Sequence, residues 1–567
     1  MTKGIQRWRT AAVILFIATG TGALAVRLFF LHLGENRSLR ERVEALRRAE
    51  IRLQPSRGRI LDRNGNVLAV DVAVKNVCAD PWLIVRAGHS RFIAYQLARA
   101  LGLDPRRLVV RLQRPHRRFA YVKRCVPLER AESVARMRLR GVFLEDDTAR
   151  YYPLGGLMCH VLGFVNMEKK GCAGVELTYD RFLRGSGGLV VSQLDGRRRE
   201  LYDRRMVEMP AFEGMDVYLT LDVRAQYIVE EALRRALQKH QAKGAWAIVQ
   251  RVKTGEIVAL ASLPSFDLNC YRTASEQEML NRAIGYIYEP GSTFKVAVLA
   301  AALNEGVVTP DEVIDCERGA WWFRGKVLHD YHAYDRLSVA DVLKKSSNIG
   351  AAKIALRLGE ERLARYLREF NVGGRLGIDL PGEEAGILHE PDRWSAISAT
   401  RIAMGHEVGV TSLQMLNIVC CIANGGLMLR PHVVSMVADA DGSVVHQAVP
   451  TVIGHPIDRK TARMMLALLR RVTEHGGTGV KAAIPGCPVA GKTGTAQKPI
   501  PGGYSHTDYI ASFVGVLPAD DPELGIIVVI DTPQPLHTGG RVAAPVFAEI
   551  ARELLGILDL GEGHGYL

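Results

Sequence analysis

The stretch EPGSTFKVAVLAAAL, Glu289 to Leu303, decides how this chain is read. Pro290 and Gly291 punctuate it, an apolar run follows, and Asn304 and Gly306 supply stop signals, so a helix is predicted to open here. Its first turn carries Ser292 and, three residues on, Lys295. Positions i and i+3 share a helix face, so the amine can reach the hydroxyl. A serine hydroxyl is a poor nucleophile until a base takes its proton. Lysine serves as that base only when neutral, which requires burial or a nearby cation to lower its pKa. A helix N-terminus adds unpaired N–H groups and positive dipole character, which suit an oxyanion. By itself Ser-x-x-Lys also describes a capping serine beside a solvated lysine. The chain has no other serine with a lysine three residues on, and the meaning of this one rests on its companions.

The first companion is KKSSNIGAAKIAL, Lys344 to Leu356. Ser338 is expected to cap a short helix that ends at Ser346-Ser347-Asn348, where a second helix begins. Ser346 and Asn348 then offer a hydroxyl for proton relay and an amide for a substrate carbonyl, although the same letters also serve as an N-cap. The second companion is VAGKTGTAQK, Val489 to Lys498, expected as a strand bearing Lys492, Thr493, Gly494 and Thr495. Lys492 and the hydroxyls suit a carboxylate, and Gly494 lets a substrate backbone lie close. Lys253-Thr254-Gly255 repeats three of the letters, but strand-like runs flank it tightly, which makes it a hairpin turn.

Around these motifs lies a chain of 567 residues, 48% hydrophobic, enough for several packed domains. Its net charge of +14 favours anionic partners such as lipid headgroups or acidic wall polymers. Thr10 to Val26 carries no charge and the apolar run continues past Arg27 to Leu33, long enough for a membrane helix of about 20 residues. Lys3, Arg7 and Arg9 precede it, which places the N-terminus in the cytoplasm and everything after Leu33 outside it. Ala23-Leu24-Ala25 resembles a signal-peptidase site, but the apolar run continues beyond it. The charged residues from Asn36 to Arg59 read as a solvated connecting helix. RGRILDRNGNVLAV, Arg57 to Val70, reads as two strands about a turn at Asn64-Gly65. The very basic segment 106–140 reads as a solvated face or as a contact for anionic wall or lipid; nucleic acid does not fit a segment beyond a membrane. From Asp216 onward a helix over 223–237, a hairpin over 244–262, a helical block over 277–427, strands near 489, 509–516 and 525–530 and a last helix over 545–558 describe an α+β domain. Nine scattered cysteines without a CxxC spacing support neither a zinc ribbon nor a disulfide framework. His329, Asp330, His332 and Asp335 match no standard ligand spacing and are expected in a surface loop; no metal and no cofactor are assigned.

Taken in order, Ser-x-x-Lys, Ser-x-Asn and Lys-Thr-Gly match the set found in penicillin-binding proteins. The chain resembles class B penicillin-binding proteins, more narrowly the division-specific septal transpeptidases. RGRILDRNGNVLA, RYYPLGGLMCHVLGFV (150–165) and GVELTYDRFLRG (174–185) look like motifs of their non-catalytic pedestal. GEIVALASLPSFDLN (255–269), NRAIGYIYEPGSTFK (281–295) and MGHEVGVTSLQ (404–414) look like transpeptidase stretches, with His406 where glutamine or tyrosine is commoner. The resemblance implies an α+β chain: a cytoplasmic tail at 1–9, one transmembrane anchor at 10–33, a mixed α/β pedestal of dimerisation type at 34–215, and at 216–567 a transpeptidase domain whose antiparallel sheet is flanked by helices. It implies acyl transfer in the inner membrane's outer compartment. Ser292 would attack the D-Ala-D-Ala carbonyl of a peptidoglycan stem peptide, Lys295 would be its base, and Ser346 would relay the proton. Asn348 would hold the substrate amide, Lys492 and Thr493 would support its carboxylate, and the backbone N–H groups of Ser292 and Thr495 would form the oxyanion hole. β-Lactams would trap Ser292. Its partners would be a polytopic glycan polymerase of the division machinery and other divisome membrane proteins, and no nucleic acid. Asn348, where elongation-type relatives often carry aspartate, points to division. An elongation enzyme, a β-lactamase-like acyl-serine protein and a β-lactam sensor are the alternatives.

Overall fold

The apolar N-terminal run forms helix α1 (Thr2–His32) in the computed structural model, which describes residues 2–32, 41, 48–53, 55–194 and 200–558. Within α1, Gln6–Phe30 is long and apolar enough to cross a membrane. Its threonine hydroxyls donate back to the preceding turn, Thr10 to the Gln6 carbonyl at 2.7 Å and Thr21 to that of Ile17 at 2.6 Å, so these side chains carry no unpaired donor.

The helix expected over Asn36 to Arg59 does not extend through Arg48–Leu53. Arg48–Leu53 is a strand, antiparallel to Gly188–Leu194, which pairs in turn with Glu200–Met209. Ala49, Ile51 and Leu53 alternate with Arg48, Glu50 and Arg52, a period of two that the density of charge hides. Residues 33–40, 42–47 and 54 lie outside the described residues, and with them Leu33, the expected last residue of the anchor. This sheet and α1 belong to one compact unit; Ser56–Gly185 and Glu213 onward form the second.

In the second unit the expected hairpin is present as Ile60–Leu61 and Val67–Ala79. The Asp62 carboxylate accepts the N–H groups of Asn64 and Asn66, both at 2.8 Å, and Gly65 takes the positive φ the turn needs. Three motifs far apart in sequence meet beneath this hairpin. Glu176, fully buried, accepts from Arg57 Nε at 2.7 Å and Arg150 Nε at 2.6 Å, while Arg57 also reaches Asp180 and Arg150 reaches Asp71. Every buried guanidinium here therefore faces carboxylate. The basic segment 106–140 folds as helix Pro105–Leu112, strand Ala120–Pro127 and helix Leu128–Arg136; in the first helix Leu108 and Leu112 are buried and Arg106, Arg107 and Arg111 exposed, an amphipathic solvated face.

Asp216–Leu219 carries the chain onward. It pairs in parallel with Ile60–Leu61 and antiparallel with Val434–Ala438, so one sheet continues from the hairpin into the C-terminal region. The C-terminal architecture is a five-stranded antiparallel sheet with helices on both faces. In chain order its parts are α2 (Val223–Lys239), β1 (Gly244–Arg251), β2 (Ile257–Leu263), α3 (Lys295–Asn304), α4 (Val339–Lys345), α5 (Asn348–Leu358), α6 (Ser412–Ala423), α7 (Arg459–Thr473), β3 (Ala490–Ile500), β4 (Gly503–Leu517), β5 (Leu524–Asp531) and α8 (Gly539–Leu555). The strand order is β2-β1-β5-β4-β3. Alternate residues explain the layering. Ala245, Ala247 and Val249 of β1 pack with α2 and α8, whereas Trp246 and Ile248 face the cluster that holds α3 and α6. Both faces are covered, which is why these strands read as continuous apolar runs. The final helix starts six residues before the expected Pro545, because Gly539 N donates to Thr495 Oγ1 at 3.0 Å and opens the helix on β3; Pro545 then lies inside it.

Candidate active site

Ser292 enters the site on a 3-10 turn, Gly291–Phe294, that leads directly into α3. The approach is pinned by close backbone contact. Gly291 N donates to the Gly405 carbonyl at 3.2 Å, and a Cβ on Gly405 would stand 2.1 Å from Gly291 O. Gly405 also has φ +81°, so it must be glycine twice over. The first helical residue of α3 is Lys295, wholly buried at 0% exposure.

Ser338 caps α4 as expected, its hydroxyl accepting from Asp341 N at 3.1 Å. The helix ends at Lys345, and Ser346 closes it in the left-handed region at φ 62°. Ser347, not Ser346, is the N-cap of α5, accepting from Gly350 N at 2.9 Å. The strained turn frees Ser346 to face Lys295 and Lys492.

Lys295 is the hub. Its Nζ donates to the Ser346 carbonyl at 2.7 Å and to Asn348 Oδ1 at 2.8 Å, and lies 3.2 Å from both Ser292 Oγ and Ser346 Oγ. A neutral amine has two N–H groups and one lone pair. The carbonyl and the amide oxygen accept the two protons, which leaves the lone pair for the hydroxyls. Burial pushes the Lys295 pKa down to about 7, against a smaller upward pull from Asp330. Lys492, on β3 and equally buried, donates to Ser346 Oγ at 2.9 Å and to its neighbour's carbonyl at 3.1 Å. Burial and then the charge of Lys295 hold Lys492 well below the usual lysine range. Two ammonium groups around one hydroxyl are disfavoured together, so the pair titrates as a unit.

Thr493 Oγ1 donates to Thr478 Oγ1 at 3.0 Å, and Thr495 Oγ1 is engaged by Gly539. At Gly494 a Cβ would stand 2.3 Å from Ser512 Oγ and 2.9 Å from Thr293 Cγ2. The need for glycine here is set by the protein's own packing of β3 on the turn that carries Ser292. Asn348 is also engaged, its Nδ2 donating to the His329 carbonyl at 2.9 Å while Oδ1 takes Lys295. Each end retains one further lone pair or N–H for a substrate amide. Lys253 lies apart from all of this, paired with Asp521 and Glu523 beside the hairpin turn.

Several residues at the site had no role in the sequence reading. Asp330 stood in the cluster assigned to a surface loop. Its carboxylate accepts from Ser347 Oγ at 2.6 Å, from Ile349 N at 3.0 Å and from Asn348 N, and so caps α5 from outside. Among the described residues no His, Cys, Asp and Glu group could hold a metal ion. Glu289, inside the opening stretch, accepts from Tyr504 OH at 3.1 Å and Glu407 N at 2.9 Å, and lies 2.8 Å from His406 Nδ1. Only the clustering of acids and histidines near 330 and the departure at His406 signalled these positions, and neither signal names a partner.

The chain matches the penicillin-binding protein transpeptidase domain over residues 245–552 and the penicillin-binding protein dimerisation domain over residues 52–219. It is 34% identical over 512 residues to the peptidoglycan D,D-transpeptidase FtsI of Escherichia coli, covering 89% of this chain and 84% of that one. It is 33% identical over 517 residues to stage V sporulation protein D of Bacillus subtilis, covering 88% of this chain and 78% of that one. Among solved structures, penicillin-binding protein 3 of Mycobacterium tuberculosis, in complex with aztreonam, superposes with a TM-score of 0.70 at 27% identity, over 89% of this chain and 97% of that one. The chain belongs to the class B penicillin-binding proteins.

Proposed function

We propose that this protein is a serine-type peptidoglycan D,D-transpeptidase that cross-links stem peptides during septal wall synthesis and is a target of penicillins. The observation that carries the proposal is the convergence of Ser292, Ser346 and Asn348 on one buried amine, Lys295, within 3.2 Å. Lys295 takes the Ser292 proton as Oγ attacks the carbonyl of the penultimate D-alanine. The peptide C–N bond breaks, and the terminal D-alanine leaves with a proton delivered through Ser346. The ester left on Ser292 is then resolved by the amine of a second stem peptide. Lys492 and Thr493 support the substrate carboxylate, Gly494 keeps β3 close to the nucleophile turn, and backbone N–H groups of Ser292 and Thr495 receive the oxyanion. The apolar α1 and the cationic residues ahead of it support a single-pass anchor in the cytoplasmic membrane with the catalytic domain outside. The similarity to the division-type relative and Asn348 support a septal role, with a polytopic glycan polymerase and other divisome membrane proteins as partners.

Incubation with benzylpenicillin should add the drug's mass to the tryptic peptide that contains Ser292, and Ser292→Ala should abolish the adduct. An adduct on another peptide, or undiminished labelling in the variant, would overturn the assignment. Depletion should block septation while growth in length continues; swelling of cells that still divide would assign the enzyme to elongation instead.

A further inference from the structure

The strongly basic region of the chain has no part in the proposed chemistry of Ser292. Residues 81–140 hold fifteen Lys and Arg against three Asp and Glu, a net +12 in a chain whose total is +14. All of these cations except Lys123 are arginine. Among the described residues only Arg107 of this set has a carboxylate at ion-pair distance, Asp104 at 3.6 Å. Arg57 and Arg150, in the same unit, are each matched with carboxylates, so cations left without counter-charge are a feature of this region.

Part of this charge is gathered at one tip. Residues 114–119 join helix Pro105–Leu112 to strand Ala120–Pro127, and Arg114, His116, Arg117, Arg118 and Phe119 are all exposed. The loop is held in place. Arg117 N donates to the Arg114 carbonyl at 3.1 Å, and the Arg117 carbonyl accepts from Trp82 N at 2.9 Å. Two guanidiniums stand over the Trp82 ring, Arg118 at 4.5 Å and Arg86 at 5.2 Å from its centroid. Stacking of this kind orients a guanidinium plane and leaves its N–H fork for a ligand. Three aromatic rings lie at the same tip. Tyr121 and Phe143 flank Cys78 in register on neighbouring strands, and Phe119 stands 4.8 Å from Tyr121 and 6.1 Å from Phe143 between centroids. Val77 and Val122, of opposite parity, pack into the core, so the rings face outward: Phe119 is 42% exposed, and Tyr121 and Phe143 are each 39% exposed. An outward sheet face made of aromatic residues and rimmed by unpaired arginines marks a contact surface.

We propose that this tip docks on the anionic phospholipid headgroups of the membrane that holds α1; the inference rests on the reading of α1 as a membrane anchor. Charge complementarity is the first argument. Headgroup phosphates accept the forked N–H groups of arginine, and each cation close to an anionic bilayer raises its occupancy there about fivefold. The interleaving of rings with cations is the second. A water-soluble polyanion gives Phe119, Tyr121 and Phe143 no apolar phase to enter, whereas the interfacial zone of a bilayer takes aromatic rings at headgroup level. Supply is the third. The anchor keeps lipid at high effective concentration around the rest of the chain, so contacts that are weak one by one suffice together. The contact gives the second unit a hold on the membrane besides α1.

The test uses the full-length protein reconstituted in nanodiscs, either of phosphatidylcholine alone or with about one-third phosphatidylglycerol. Amide hydrogen exchange of peptides spanning residues 114–121 is followed by mass spectrometry. Exchange should be slower by about fivefold or more in the anionic discs than in the neutral ones. The difference should vanish at about 0.5 M NaCl, which screens the headgroup charge. The triple variant Arg114→Glu, Arg117→Glu, Arg118→Glu should abolish it, and Phe119→Ser should reduce it. Both variants should still be acylated by benzylpenicillin at the wild-type rate, which shows that they fold. Equal exchange in the two kinds of disc, or slowing that survives the triple charge reversal, would overturn the proposal. Soluble polyglutamate or polyphosphate added to the neutral discs should leave exchange unchanged; slowing as large as that given by phosphatidylglycerol would overturn the lipid assignment in favour of an acidic protein or an anionic polymer. A full chain that does not enter discs at all would instead overturn the reading of α1 as an anchor.

Discussion

Two regions of the second unit bury cations, and they treat them in opposite ways. Beneath the N-terminal hairpin, Arg57 and Arg150 meet Glu176, Asp180 and Asp71 at ion-pair distance. Burial pulls Arg150 down, but Glu176, Tyr152 and Asp71 more than compensate and leave it above its ordinary value. In the cleft, Lys295 and Lys492 are as deeply buried, yet among the described residues neither has a carboxylate within ion-pair distance. Their nearest partners are hydroxyls, carbonyls and one amide. A paired buried cation stays charged and holds structure; an unpaired one becomes neutral and is available as a base.

The comparison breaks most visibly at Lys295. Replacing it with alanine should slow penicillin acylation by about 10²–10⁴-fold or more if, as proposed, the variant loses a general base and the group that positions Ser292. Rapid-quench acylation kinetics would measure this, and circular dichroism should remain that of the folded protein. Acylation at near wild-type rate would mean that Lys492 or water supplies the base. The converse experiment is Glu176→Ala. It leaves two buried guanidiniums short of a carboxylate and should destabilise the second unit by about 3–5 kcal/mol. Thermal unfolding should shift down, while each folded molecule still acylates normally. A loss of acylation without loss of stability would show that the network serves the site and not the scaffold.

Asp330 sharpens the contrast, since it is the carboxylate that acts on Lys295 from a distance. In the wild type the lysine's pKa of about 7 means that the neutral base accumulates above that pH. Acylation should therefore rise from pH 6 to pH 8 with an apparent midpoint near 7. Asp330 pulls this pKa upward, so Asp330→Asn should move the midpoint to lower pH. The same variant weakens the cap of α5 and should lower stability by about 1–2 kcal/mol. A pH profile that stays in place would show that Asp330 acts on Lys295 only through the position of α5.

Much of the site was legible in sequence because its parts are local. Ser292 and Lys295 lie one turn apart, Ser346 and Asn348 flank a single cap, and Lys492 to Thr495 form one run of strand. Each pattern is set by neighbours in the chain, and helix and strand periods follow from them. The strand at Arg48–Leu53 was missed for the same reason in reverse: its alternation is present, but six residues rich in charge carry a weak apolar signal, and it becomes a strand by pairing with Gly188–Leu194.

What the sequence determined by itself was therefore the inventory of groups and its order along the chain: a serine with a lysine one turn on, a second serine with an amide, and a lysine-bearing strand, behind an apolar N-terminal run. The tertiary structure decided which of these groups are charged and what holds them in place. Lys295 is pushed toward its neutral form because α3 is buried between other helices and the sheet. Ser346 faces it because a left-handed turn frees it from capping duty, and Asp330, Glu289 and Gly405 matter only through partners distant in sequence. Desolvation and long-range hydrogen bonds do not exist until the chain packs, so no local pattern can encode them.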